Sequence, residues 1–268
     1  MPFHFSPRQI LVSGLLACGF TSVQADFSFA VSPPRFELTA KPGERLRQTI
    51  EITNASASPA GLLIRTADWA FRNDDTVVFL DDLQPDSCRP WVAIERRELM
   101  VAPRQPYRFR FEVAPPPGQA PMECKFAILM EGKDSSFAGE SRAVPLGARL
   151  GVIVYVKVGE VAPELSVQAA RVEIRNGASV ALIDVKNSGT AHGRLDGFLT
   201  GTDSRGQMLD VSAANTPILP GETRAIALKI SKQGDSNTLV EPVFPINVKG
   251  KLEWGKGRTT ELDQRFSK

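Results

Sequence analysis

Histidine is nearly missing from this chain: there are two in 268 residues, His4 and His192. That leaves little material for histidine-based metal sites or histidine-assisted nucleophiles. A Gly-x-Ser-x-Gly elbow, a glycine-rich phosphate loop with its lysine and a paired Cys-x-x-Cys motif are all absent. Hydrolase, nucleotide and metal chemistries thereby lose their usual carriers. An excess of one charge is lacking too. With 32 basic and 30 acidic residues the net charge is +2, too weak a field to hold nucleic acid. Cysteine is scarce as well, with three in all, yet their placement is informative.

The first 25 residues read as a targeting segment. One cation, Arg8, precedes the apolar run Ile10 to Ala17, and small and polar residues follow, ending Val23-Gln24-Ala25. This is the pattern of a secretory signal cleaved after Ala25, and its apolar core is far shorter than the roughly 20 residues of a spanning helix. No stable membrane insertion is expected. Leu15-Leu16-Ala17-Cys18 loosely resembles a bacterial lipoprotein box, which leaves acylation of Cys18 as a rival; the bulky Leu16 speaks against it. Cleavage removes only Arg8 from the charge count and leaves 31 basic and 30 acidic residues. Cys88 and Cys124 then remain in a chain that has left the cytosol, where thiols oxidise. One disulfide between them is expected, with two separate buried thiols as the alternative.

The body alternates with period two, which points to strands. In Tyr107-Arg108-Phe109-Arg110-Phe111-Glu112-Val113 aromatic or branched residues alternate with charges, so one face meets a core and the other water. Similar runs are 46–53, 62–69, 76–79, 124–130, 171–175, 180–185 and 225–230, separated by turn chemistry such as Pro42-Gly43, Asn176-Gly177 and Pro220-Gly221. Residues 91–100 alone could pass for a helix, and a strand followed by a turn suits their neighbours better. The expected fold class is all-β, with two immunoglobulin-like β-sandwich domains in tandem. The joint falls near Gly159 to Pro163, giving a signal peptide at 1–25, a first domain at 26–159 and a second at 160–268.

From Val144 to Val158 every even position is apolar: Val144, Leu146, Ala148, Leu150, Val152, Val154, Val156 and Val158. A strand of that length spans about 50 Å, well beyond the typical five or six residues. Part of it is expected to project. Leaving a leucine in water forgoes roughly 1.5 to 3 kcal/mol, so a projecting stripe implies a partner that covers it. The plainer alternative makes the whole run a core strand plus a linker.

Several segments resemble the first domain of PapD-like periplasmic pilus-assembly chaperones. They are Phe27 to Leu38, Ile50-Glu51-Ile52-Thr53-Asn54, Pro90-Trp91-Val92, Val101-Ala102-Pro103 and the long alternating strand ending at Tyr155-Val156. The resemblance covers residues 27–158, and the second half, with Val185 to Gly189, Ile218 to Gly221 and Leu252 to Gly255, is more weakly similar to the family's second sandwich. The resemblance implies a chaperone that lends its strand to an incomplete pilin-like subunit, completing the subunit's fold until an outer-membrane usher takes it. It implies no cofactor and no nucleotide. Val144, Leu146, Ala148, Leu150 and Val152 become the subunit-binding stripe. Family members grip the subunit's C-terminal carboxylate with an arginine and a lysine. Arg35 fits the arginine, but alignment on Tyr155 puts Val152 at the lysine position, with Arg149 the nearest substitute. A solvated edge-strand role is the alternative for both arginines. The cysteine pair differs from the bridge known in one subgroup, which joins the last two strands.

The remaining features read as structural. Asp74-Asp75 and Asp81-Asp82 are expected to be solvated turns rather than calcium ligands. His192 is expected in a loop, and Trp69, Trp91 and Trp254 in core or interdomain packing. Asn54-Ala55-Ser56 fits a glycosylation pattern that an exported bacterial chain does not use. A self-capping dimer is left open. The competing function is a secreted or lipid-anchored β-sandwich that binds a glycan or protein without chaperone activity; a glycosidase has no supporting carboxylate spacing.

Overall fold

The computed structural model describes residues 28–72, 76–133, 149–255 and 257–268. The chain is all-β and folds into two immunoglobulin-like sandwiches in tandem. Strands of the first are β1 (Phe29–Ser32), β2 (Arg35–Ala40), β3 (Leu46–Asn54), β4 (Ala60–Phe71), β5 (Val77–Leu80), β6 (Val92–Ile94), β7 (Glu98–Val101), β8 (Pro106–Val113), β9 (Met122–Gly132) and β10 (Arg149–Val158). One sheet runs β1-β3-β8-β6, the other β2-β10-β9-β4-β5 with β7 also on β4. The alternation read from β8 is realised: Phe109, Phe111 and Val113 are buried while Arg108 and Arg110 are exposed. Residues 91–100 follow the strand-and-turn reading rather than the helical one: a short 3-10 turn, Arg89–Trp91, leads into β6, and β7 follows.

The second sandwich comprises β11 (Leu165–Arg175), β12 (Ala178–Asn187), β13 (Leu199–Thr202), β14 (Met208–Ala213), β15 (Thr223–Lys232), β16 (Asp235–Leu239), β17 (Ile246–Trp254) and β18 (Arg258–Phe266). They form one curled sheet, β11-β12-β15-β14-β13-β17-β18 with β16 on β15, whose first and last strands lie against each other. Trp254 sits in its core and Trp91 packs against the core of the first sandwich. Cys88 and Cys124 form the expected disulfide, tying the entry to β6 to strand β9 with Cα atoms 5.4 Å apart.

Strand β10 carries the arrangement that matters most. Its even positions Val152, Val154, Val156 and Val158 are fully enclosed in the first core, and Leu150 packs partly buried at its edge. The sequence reading placed Val152 among partner-contacting residues. The structure corrects this, because a side chain with 0% exposure in its own core is not available to another molecule. Val144, Leu146 and Ala148 lie outside the described residues, as do Cys18 and the Asp74-Asp75 pair. The odd positions face the other way. Ile153 and Tyr155 join Ala67, Trp69, Ala127 and Leu129 in a second apolar cluster on the outer face of the sheet, which Leu219 of the second sandwich helps to cover.

Candidate functional site

The chain changes sheets at Pro33-Pro34. Proline offers no N–H to a ladder, so strand pairing stops there. β1 pairs β3 in one sheet, and β2 starts afresh in the other, parallel to β10, with Arg35 opposite Ile153. The first bond of that ladder is donated by Ile153 N–H to Pro34 O at 3.1 Å. β9 accompanies β10 along its whole length, from Arg149 to Val158, whereas β2 accompanies it only from Ile153 to Val158. Among the described residues, the edge of β10 over Arg149 to Val152 therefore has no neighbour on the β2 side. Because Ile153 N–H points toward β2, strand alternation turns Gly151 N–H toward that same open edge.

At the foot of this edge lies a cleft between the two sandwiches, about 290 Å³ in volume. Pro34, Arg35, Trp69, Phe71 and Ile153 form one wall; Arg194, Asn215, Thr216 and Pro217 form the other. Arg35 is nearly half exposed and its Nε lies 3.1 Å from Glu37 Oε1. Arg194 is held from its own side, where Nη1 donates to the Asn215 carbonyl at 2.7 Å. Its Nε stands 3.8 Å from the same Glu37 oxygen. Trp69 Nε1 and Arg194 Nε are buried donors with no hydrogen-bond acceptor among the described residues. Donors of that kind in a cleft favour an oxygen-bearing ligand.

Beneath the cleft sits His192, on the loop between β12 and β13, where the sequence places it. Its burial is what the sequence does not disclose, since only 4% of it is exposed. Its Nδ1 is 2.9 Å from Glu123 Oε2 and its Nε2 3.6 Å from Glu37 Oε1. Its backbone N–H donates to Glu123 Oε1 at 2.6 Å, and its ring stacks on Tyr155 at 3.8 Å between centroids. Lys157 Nζ stands 3.9 Å from Glu123. Burial works against a charged imidazole, but the hydrogen bond with Glu123 and the nearby carboxylate of Glu37 outweigh it and raise its pKa above the usual 6.5. The His192 ring beside it in turn holds Glu37 down to about 2, against the opposing effect of burial. Burial lowers the Arg194 pKa and raises that of the Tyr155 phenol.

Arg149 does not belong to this group. It stands four residues before Ile153 on β10, about 13 Å away along the strand, and its Nε is bonded to Glu131 Oε1 at 2.6 Å. The second guanidinium beside Arg35 is Arg194, which the sequence analysis did not name. No spacing rule reveals it, because it arrives through contact between the two sandwiches. A larger hollow, about 650 Å³, is lined by Arg65, Arg89, Arg96 and Arg97. Three of these arginines are already engaged by Asp81, Glu131, Asp68 and Glu95.

No family model and no curated protein matches the sequence. Solved structures do. The chain is similar to the class 5 fimbriae chaperone CfaA, at 15% identity over 90% of this chain and 100% of that one, with a TM-score of 0.47. It is similar to the Pseudomonas aeruginosa CupB2 chaperone at 11% identity over 89% and 100% of the two chains, with a TM-score of 0.46. A third is the CsuC-CsuE chaperone-tip adhesion subunit pre-assembly complex from archaic chaperone-usher Csu pili of Acinetobacter baumannii. There the identity is 11%, the coverage 89% and 98%, and the TM-score 0.44.

Proposed function

We propose that this chain is a periplasmic chaperone, similar to the PapD-like family, that holds pilin-like subunits by strand donation and passes them to an outer-membrane usher. The reading takes residues 1–25 as the export signal, 26–159 as the strand-donating domain and 160–268 as its companion. The observation that supports it is the half-open strand: among the described residues, β10 is paired on both edges from Ile153 onward and on one edge before it. An incoming strand running parallel to β10 over Arg149 to Val152 continues the line of β2. Its end then arrives at Arg35.

Arg35 and Arg194 supply the two cations of a carboxylate grip at that point, and Arg194 takes the place first given to Arg149. Val144, Leu146 and Ala148, apolar at every second position, together with the half-buried Leu150, fill the subunit's unfinished core. No cofactor enters, since ordering of the subunit's own fold drives capture and release. In a free molecule the same edge is open to a second copy of the chain.

The test is co-expression with a pilin-like subunit from the same gene cluster, followed by co-purification. Leu146→Asp and Leu150→Asp are expected to abolish recovery of the complex while each purified variant keeps its thermal transition. Undiminished recovery with both variants would contradict strand donation.

A further inference from the structure

Resting on that reading, we propose that Glu37 is a built-in competitor for the carboxylate the cleft takes, and that charged His192 is the group that holds Glu37 when it gives way. One oxygen, Glu37 Oε1, lies 3.1 Å from Arg35 Nε, 3.8 Å from Arg194 Nε and 3.6 Å from His192 Nε2. The two guanidinium groups that would grip a ligand carboxylate are thus already shared by an internal one. A ligand must displace Glu37 from both.

The alternative partner for Glu37 is in place. His192 is fixed from behind by Glu123 on β9, which takes both its backbone N–H and its Nδ1, and from the side by the Tyr155 ring on β10. The charged and titratable groups packed around it are Glu37 and Arg35 on β2, Glu123 on β9, Tyr155 and Lys157 on β10, and Arg194 on its own loop. With imidazolium present, the four cations Arg35, Lys157, His192 and Arg194 face the two carboxylates Glu37 and Glu123, so an added carboxylate meets a larger positive excess than the three cations offer once the imidazole is neutral. With neutral imidazole, Glu37 loses one partner and is left with the arginines.

The sign follows from the histidine. Its pKa is raised in the folded chain, so its support for the exchange is complete below the ordinary value and is lost as pH rises through the raised one. Glu37 stays ionised throughout, being held near 2.

The probe is a short peptide of alternating valine and threonine with a free C-terminal carboxylate, compared with its C-terminal amide. Binding to the full-length protein is titrated calorimetrically from about pH 6 to about pH 9. Wild type is expected to prefer the acid form and to lose that preference as pH rises. Glu37→Gln is expected to bind the acid form about tenfold more tightly, with the amide unchanged. His192→Gln is expected to flatten the pH profile, and a thermal transition in each variant confirms folding. Equal binding of acid and amide by wild type would overturn the carboxylate grip and this proposal with it. Acid preference in wild type with no gain in Glu37→Gln would overturn the competitor alone.

Discussion

The two halves of β10 share one sequence pattern and meet different surroundings. From Ile153 to Val158 the strand has β9 on one edge and β2 on the other, with Val154, Val156 and Val158 sealed in the core. From Arg149 to Val152 it has β9 alone among the described residues, and at its start Leu150 is only partly buried. The alternation fills the core from Val152 onward, while the backbone edge before Ile153 is left unfinished among the described residues. What separates them is the point at which β2 begins, and that is set by Pro33-Pro34. An open edge is an aggregation hazard unless something manages it. In the proposed reading the partner does so.

The sharpest way to break the comparison is to place a charge in each half. Val154→Asp puts an unpaired carboxylate at a fully enclosed position and is expected to cost upwards of about 4 kcal/mol. Circular dichroism melts should show little or no folded protein. Leu150→Asp, at the rim, is expected to leave the melt nearly unchanged; equal losses at the two positions would erase the distinction. Next in size is the disulfide. Cys124 lies opposite Val156 in the paired half, and the bridge closes a separation of 36 residues. Removing it by Cys88→Ala with Cys124→Ala should cost about 3 to 4 kcal/mol in the chain-entropy account, read by denaturant titration. Complex recovery from the folded fraction should persist.

Smaller effects sharpen the contrast at its boundary. Arg35→Ala removes a half-exposed ion pair, which water screens, so stability should shift by less than about 1 kcal/mol. Subunit capture should nevertheless weaken roughly tenfold. Arg149→Ala is expected to do least. Its partner Glu131 also contacts Arg65, so stability should move within about 0.5 kcal/mol. Capture should be unaffected, and a loss equal to that of Arg35→Ala would restore Arg149 to the grip.

The legibility of this molecule in its sequence divides along physical lines. Strand β8 announces itself because one face is apolar and the period is two, and β9 because Phe126 to Met130 form an unbroken apolar run that is buried on both faces. The cysteine pair was legible from the signal-like pattern of the first 25 residues and the small number of thiols. The stripe was legible as a strand over its described part, Arg149–Val158, but alternation says which residues share a face, not which molecule that face fills; Val152 was therefore assigned outward and lies inward. Arg194, Glu37 and His192 form a cluster only because two sandwiches meet. No local pattern encodes a contact between β2 and the loop after β12, so the sequence offered His192 as a loop residue and Arg149 as the second cation.

The central claim is that the edge of β10 before Ile153 accepts a foreign strand. Amide hydrogen exchange read at Gly151 and Ile153, in the free protein and in the purified subunit complex, tests it most directly. The account predicts fast exchange at Gly151 and slow exchange at Ile153 in the free protein, with Gly151 becoming as protected as Ile153 in the complex. A Gly151 amide whose exchange is unchanged in a complex that has demonstrably formed would contradict it.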